Sequence, residues 1–291
     1  WLKQRGRDTM IGPCSFSTNE ECGLLVDGFD RYPSLMIPWN PPYYATHIEA
    51  LAPSTAIGLL SYWMNREELT DRLFRLHEGA KKRLERQGLL RIRPVDLKRL
   101  DAEIQIIQEL YNNAWKDNWG FVPMTQHEVA FMAADMKTII DPRIILIAEF
   151  DGKPAGFSLA LPDFNIVLAH LGGELGPAGL LKAFLLRKSI KCFRLLALGI
   201  DPAFRKRGLD VILYGETALR GLAVGYFQAE FSWVLEANRE MNQAMNAIGA
   251  TVIRIDRKQP AELGIKRPLR FNLLLRNRPV IALDLKDPAG V

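Results

Sequence analysis

Leu198-Gly199-Ile200-Asp201-Pro202-Ala203-Phe204-Arg205-Lys206-Arg207-Gly208-Leu209-Asp210 is the most informative run of the chain. An apolar segment stops at Asp201-Pro202, three cations follow, and Gly208 stands at the entry of a new apolar-periodic segment. This pattern predicts a strand over Phe193–Ile200 and a helix over Leu209–Gly225. Backbone amides at a helix N-terminus bind anions, and a glycine there lets a phosphate come close to the backbone. With Arg205, Lys206 and Arg207 beside those amides, the turn reads as a pyrophosphate cradle. The competing reading is a solvated basic run ahead of an ordinary helix.

Working outward, Gln228–Val234 reads as a strand, Asn238–Ile248 as a helix and Thr251–Ile255 as a final strand. Upstream, Leu90–Arg93 is a short strand halted by Pro94, and a helix from Asp101 carries Ile104, Ile107, Leu110, Tyr111 and Ala114 on one face. Thr125–Ile139 opens with the capping box Thr125-x-x-Glu128. Ile144–Phe150 and Ala155–Leu161 form a hairpin about Asp151-Gly152, and Phe164 to Lys191 is a glycine-containing helical insertion. From Leu90 onward the order predicts a mixed α/β layer with helices on both faces of one sheet.

Ile200-Asp201-Pro202, then Arg205, Gly208 and Asp210, follow the order of a known motif. It is the acetyl-CoA motif of the GNAT N-acetyltransferase superfamily: strand, Pro, then Arg or Gln, two residues, Gly, one residue, Gly or Ala. Glu230–Val234 followed by Asn238, Met241 and Ile248-Gly249-Ala250 resembles that family's second element, a strand, an Asn and a helix ending in Leu-Gly-Phe. The resemblance covers about Leu90 to Ile255. It implies a GNAT fold and direct transfer of an acyl group from acetyl-CoA or another acyl-CoA to the amine of a small-molecule or amino-acid-like acceptor. No metal and no covalent enzyme intermediate are implied.

On this resemblance the pantetheine arm pairs along Leu198 and Ile200, and the diphosphate lies against Arg205, Lys206, Arg207, Gly208, Leu209 and Asp210, with Asn238 completing the donor-binding set. Two positions depart from the family: Asp210 replaces a small residue beside the diphosphate, and Met245 stands where many members carry a tyrosine that protonates the departing thiolate. Positioning of thioester and amine supplies much of the rate in such a transfer, so neither departure excludes turnover. Glu230 and Ser232 fall on one side of their strand by period-two alternation, and they are the candidates for a catalytic base at the acceptor. An exposed strand position is the alternative for Glu230.

Asp163, Asn165 and His170 are polar groups in the apolar insertion, readable as acceptor contacts or as helix caps and ordinary hydrogen-bonded structure. Tyr111, Trp115, Trp119 and Phe121 read as core or as an aromatic acceptor wall. The first 64 residues, rich in Pro, Asn and aromatics, contain a strand candidate at Ser34–Ile37, a helix over Tyr43–Leu51 and a strand over Ile57–Met64. Asn40-Pro41-Pro42-Tyr43-Tyr44 with the helix and strand after it resembles the end of a second GNAT module. The expected organisation is therefore residues 1–65 as the tail of a degenerate GNAT-like module, 66–89 as a connector helix, 90–258 as the GNAT domain and 259–291 as a basic extension. The chain lacks an initiator Met and is read as N-terminally truncated.

The 291 residues carry 48% hydrophobic and 24% charged side chains, a globular composition. No apolar run approaches the roughly 18 residues of a spanning helix, so a cytoplasmic protein with no membrane partner is expected. Cys14, Cys22 and Cys192 have neither metal-ligand nor disulfide-framework spacing and read as inert thiols. The net charge of +5 is concentrated between Arg254 and Arg278, at +6, leaving −1 elsewhere. That distribution argues against a nucleic-acid footprint on the folded body. Two alternatives to the acyl-CoA reading stand: a non-catalytic GNAT-like binding or scaffold protein, and a tandem-GNAT transferase taking its acyl group from acyl carrier protein or aminoacyl-tRNA.

Overall fold

The structure, a computed structural model, describes residues 2–7, 9–15, 17–51, 55–68, 71–118, 120–172, 176–247, 250–253 and 277–284. In chain order the strands and α-helices are β1 (Thr9–Gly12), α1 (Tyr44–Leu51), β2 (Thr55–Asn65), α2 (Asp71–Glu85), β3 (Leu90–Pro94), α3 (Leu100–Trp115) and α4 (Gln126–Met136). There follow β4 (Ile145–Phe150), β5 (Lys153–Pro162), α5 (Asn165–Leu171), α6 (Pro177–Leu186), β6 (Cys192–Ile200) and α7 (Leu209–Val224). The run closes with β7 (Gln228–Leu235), α8 (Arg239–Ala247), β8 (Thr251–Ile253) and β9 (Asn277–Asp284). They fall into two compact units: Trp1–Trp63 with Ser232–Asn246 and Thr251–Val291, and Met64–Phe231 with Ala247–Ala250.

The second unit is the mixed α/β layer the sequence predicts. β3, β4, β5 and β6 pair antiparallel in order, and β6 then pairs parallel with the first half of β7. Two parallel neighbours cannot be joined by a hairpin, and α7 is the crossover that connects them. The turn between β4 and β5 has Asp151 and Gly152 both at positive φ, 50° and 74°, as a tight hairpin demands. Strand β5 begins earlier than the sequence suggested, and Pro154 lies inside it, opposite Glu149, at a register shift that follows Ala148.

One face of this sheet is closed by α7 and α2. Ala80 and Leu84 of α2, Leu146, Ala148 and Phe150 of β4, Ala155 of β5 and Leu209, Ile212 and Leu213 of α7 make one buried cluster. Segment 66–89, expected to be a connector, runs through α2, which packs within this unit. Its buried His77 lies against Gly215 of α7, where an added Cβ would come within 2.5 Å of the imidazole. On the opposite face Trp115 of α3 meets Phe157 edge-on at 5.8 Å, and Tyr111 stacks near Trp115 at 4.4 Å. Tyr111 and Trp115 are half-buried in these ring contacts; Trp119 lies outside the described residues.

In the first unit β9 pairs antiparallel with β1 and with β2, and β8 pairs with β2. Within the basic extension, β9 thus has neighbours on both sides. Cys22 and Leu59 form a small core with Cys14, Ile57, Trp233 and Leu235 around it. Ser34–Ile37 is a turn and not a strand, with Met36 at φ 59°. Asn40 clamps the preceding loop, accepting from Leu25 N–H at 2.7 Å and donating to the Leu25 carbonyl at 3.0 Å. The basic segment 254–276, like Ile248 and Gly249 of the second family element, lies outside the described residues.

Candidate functional site

Strand β6 changes its facing halfway along. Phe193 faces α7, where it would collide with a Cβ on Gly221. Farther on it is the even positions, Leu198 and Ile200, that pack on the α7 side, while Gly199 turns to Phe157, Trp115 and Ala114 on the other. A strand with strict period two cannot do this. The β5–β6 register supplies the cause: Leu159 pairs with Ala197 and Ala160 with Leu195, so Leu196 is an extra residue, a β-bulge.

The same strand parts from its neighbour at this point. Its parallel pairing with β7 ends at Leu195 opposite Phe231, whereas its antiparallel pairing with β5 continues to Ile200 opposite Gly156. Leu198 and Ile200, the expected pantetheine contacts, are half-buried and lie in the stretch beyond that separation. Extended backbone that has parted from its neighbouring strand can accept a ligand as an added strand.

The basic turn follows immediately. Asp201 caps the short helical turn Pro202–Phe204 by accepting from Ala203 N–H at 2.9 Å. Lys206 and Gly208 then take positive φ, 60° and 86°, and α7 starts with Gly208 as an N-cap that makes no side-chain hydrogen bond. The α7 backbone ladder opens with Ile212 N–H donating to the Gly208 carbonyl. The first turn of α7 thus has its amide end beside three exposed cations, an electropositive corner suited to a phosphate.

The individual side chains depart from the simple cradle. Arg205 donates to the Ala114 carbonyl at the end of α3, and so ties the turn to that helix. Arg207 lies over the Phe204 ring at 5.5 Å, and its carbonyl accepts from Arg83 of α2 at 3.2 Å. Lys206 is exposed at the tip of the turn. The φ of 86° favours glycine at 208, and a Cβ there would also lie 2.9 Å from the mobile end of the Arg83 side chain and 3.2 Å from Ala80. Leu209 points into the core, and among the described residues no ion pair joins Asp210 to the turn's cations.

Glu230 is 7% exposed, which removes the reading of it as an exposed strand residue. It stands opposite Arg194, itself buried, in the last paired stretch of β6 and β7. Ser232 is buried too and belongs to the first unit, as does Asn238. Asn238 acts there as a helix cap, its side-chain oxygen accepting from Met241 N–H at 3.1 Å. Met245 is fully buried.

In the insertion, Asp163 accepts from Asn165 N–H at 3.3 Å and His170 Nδ1 contacts the Ile166 carbonyl at 2.7 Å, the capping and structural roles. Sequence reasoning missed a partly open apolar cleft beside α7, lined by Phe193, Tyr214, Leu222, Tyr226 and Phe227. These positions alternate as ordinary core residues, so no local signal marks the opening. Among the described residues, no cluster of His, Cys, Asp or Glu is arranged to hold a metal ion.

No protein-family model matches the chain. It is 37% identical over 258 residues to protein YghO of Escherichia coli K12, and 36% identical over 260 residues to bacterial ceramide synthase of Caulobacter vibrioides. Each alignment takes in 86% of the chain, which spans 65% and 66% of the lengths of these relatives. Among solved structures, a GCN5-related N-acetyltransferase from Sphaerobacter thermophilus aligns with TM-score 0.46 at 14% identity, covering 76% of the chain and 55% of its own. YncA of Salmonella typhimurium, a putative acetyltransferase with acetyl-CoA, aligns at 0.39 and 15% over 68% of the chain and 95% of its own. The chain is thus similar over 86% of its length to these two bacterial proteins, and its mixed sheet, its bulged and parting central strand and its basic turn are the arrangement that the sequence resemblance implied.

Proposed function

We propose that the chain is an acyl-CoA-dependent N-acyltransferase whose acceptor is a long-chain amine. One observation carries the donor: the positive-φ basic turn at the start of α7 directly follows the stretch of β6 that has parted from its parallel neighbour. The amides and cations of Arg205–Leu209 would hold the diphosphate, with Asp210 the acidic departure beside it, and Leu198 and Ile200 would pair with the pantetheine arm. A backbone amide of β6 would polarise the thioester carbonyl. The acceptor rests on similarity to a protein named ceramide synthase, a name that denotes N-acylation of a lipid amine.

In the step proposed, the amine nitrogen attacks the thioester carbon, a C–N bond forms and the C–S bond breaks. The CoA thiolate leaves, and the ammonium proton must pass to a base. Glu230, the buried carboxylate one residue before β6 and β7 part, is assigned that task. Residues 1–65 are read as the tail of a second, degenerate module with β9 of segment 259–291 paired to it, and α2 of segment 66–89 is grouped with the 90–258 domain, on whose helix α7 it packs.

The test is thiol release from acyl-CoA with a long-chain amino alcohol or a short diamine as acceptor. Turnover should favour the long-chain amine, and Glu230→Gln should lower kcat roughly a hundredfold with little change in the KM for acyl-CoA. Acylation only from acyl carrier protein or aminoacyl-tRNA would replace the donor. CoA binding without turnover on any amine would leave a scaffold.

A further inference from the structure

Helix α6 is built inside out. Its buried positions are small, Gly179 and Ala183, while Leu180, Leu181, Phe184 and Leu185 are 62%, 62%, 71% and 66% exposed. Leu168 of the neighbouring α5 is also exposed, at 42%. Isolated exposed leucines are ordinary, but four large apolar side chains on one ten-residue helix form a contiguous patch, which in a soluble chain marks an interaction surface. The small residues set α6 close against its unit through the cluster of Val167, Leu171, Ala183 and Ile190. The large ones are thereby left outward.

The charges around the patch select its partner. Residues 164–191 contain Lys182, Arg187, Lys188 and Lys191 against one acid, Glu174. Lys182 and Arg187 reach back to the His170 and Ile140 carbonyls, at 2.9 Å and 3.1 Å, and Lys188 is exposed. Pairing this face with its own copy would bring like cations together, with one acid per copy to offset four. An anionic bilayer satisfies both features, since acyl chains take up the leucines and phenylalanine while phosphate headgroups meet the cations. Ten residues rise about 15 Å, half a hydrocarbon core, so the helix can lie in the interface and not cross it.

We infer that α6 is a membrane-surface docking helix, inserting Leu180, Leu181, Phe184 and Leu185 among the lipids of an anionic membrane. The absence of a spanning segment had suggested no membrane partner. The exposure of α6, invisible to periodicity because the helix is apolar on nearly every side, argues for one. The inference rests on exposure and charge and holds whatever donor or acceptor the site takes.

The test is flotation of the whole chain with vesicles of phosphatidylcholine alone or mixed with phosphatidylglycerol. The intact chain should bind the anionic vesicles, and Leu181→Ser with Phe184→Ser should weaken binding at least about tenfold. Lys188→Glu should weaken binding to anionic vesicles only. Thermal unfolding and acetyl-CoA affinity should match the parent in both variants, because the altered side chains face solvent. No binding by the intact chain, or equal binding by the serine variant, would overturn the inference. So would a dimer, seen by sedimentation, that the serine substitutions dissolve.

Discussion

Gly208 takes φ 86° at the start of α7 and faces Arg83 and Ala80 so closely that a methyl group would contact both. An L-residue in that conformation costs roughly 1–2 kcal/mol before any crowding is counted. Gly208→Ala should therefore destabilise the chain by about that amount or more, read as a lower urea midpoint at unchanged slope. A glycine that serves only phosphate access would leave the midpoint unmoved. The family motif predicted the glycine, and the residues around it were legible as a turn, but the close approach of α2, about 125 positions earlier in the sequence, was not. Arg205 teaches the same lesson, since its bond to the Ala114 carbonyl depends on where the end of α3 lands.

At the scale of elements, the strands and helices from β3 to α8 were legible because their apolar periods, caps and turn residues are local signals. The exceptions have tertiary causes. The bulge at Leu196 hides in an apolar run, and α6 hides its outward face because small and large apolar residues look alike to a hydropathy count. The packing of α2 on α7 likewise needed the structure, and its polar seam gives a testable consequence. Glu216 meets His77 at 3.5 Å, Lys81 at 3.0 Å and Arg220 at 3.3 Å. Facing His77 and these two cations, its carboxyl is held down from the usual 4.5 to about 2 against the opposing effect of burial. A carboxylate whose folded pKa is lowered stabilises the fold above its unfolded pKa, and that contribution fades as pH falls toward the folded value. Stability should thus drop between pH 4.5 and about 2, and Glu216→Gln should be less stable at neutral pH while showing a shallower acid arm. A parallel acid arm in the two proteins, followed by chemical denaturation, would contradict this seam.

For the whole molecule, the proposed donor site lies where β6 parts from β7, at the turn before α7. The fold class was legible in the sequence, and the turn was legible as basic and helix-initiating. The burial of Glu230 opposite Arg194 was not, because strand alternation assigns a face without saying what covers it. The most direct measurement is calorimetric titration of the intact chain with acetyl-CoA and a long-chain acyl-CoA, beside a Lys206→Glu, Arg207→Glu variant whose altered side chains are exposed. The account predicts saturable binding to the intact chain and at least about tenfold weaker binding to the variant, since it places like charge against the diphosphate. Equal affinity in the two proteins, or no binding by the folded intact chain, would contradict it.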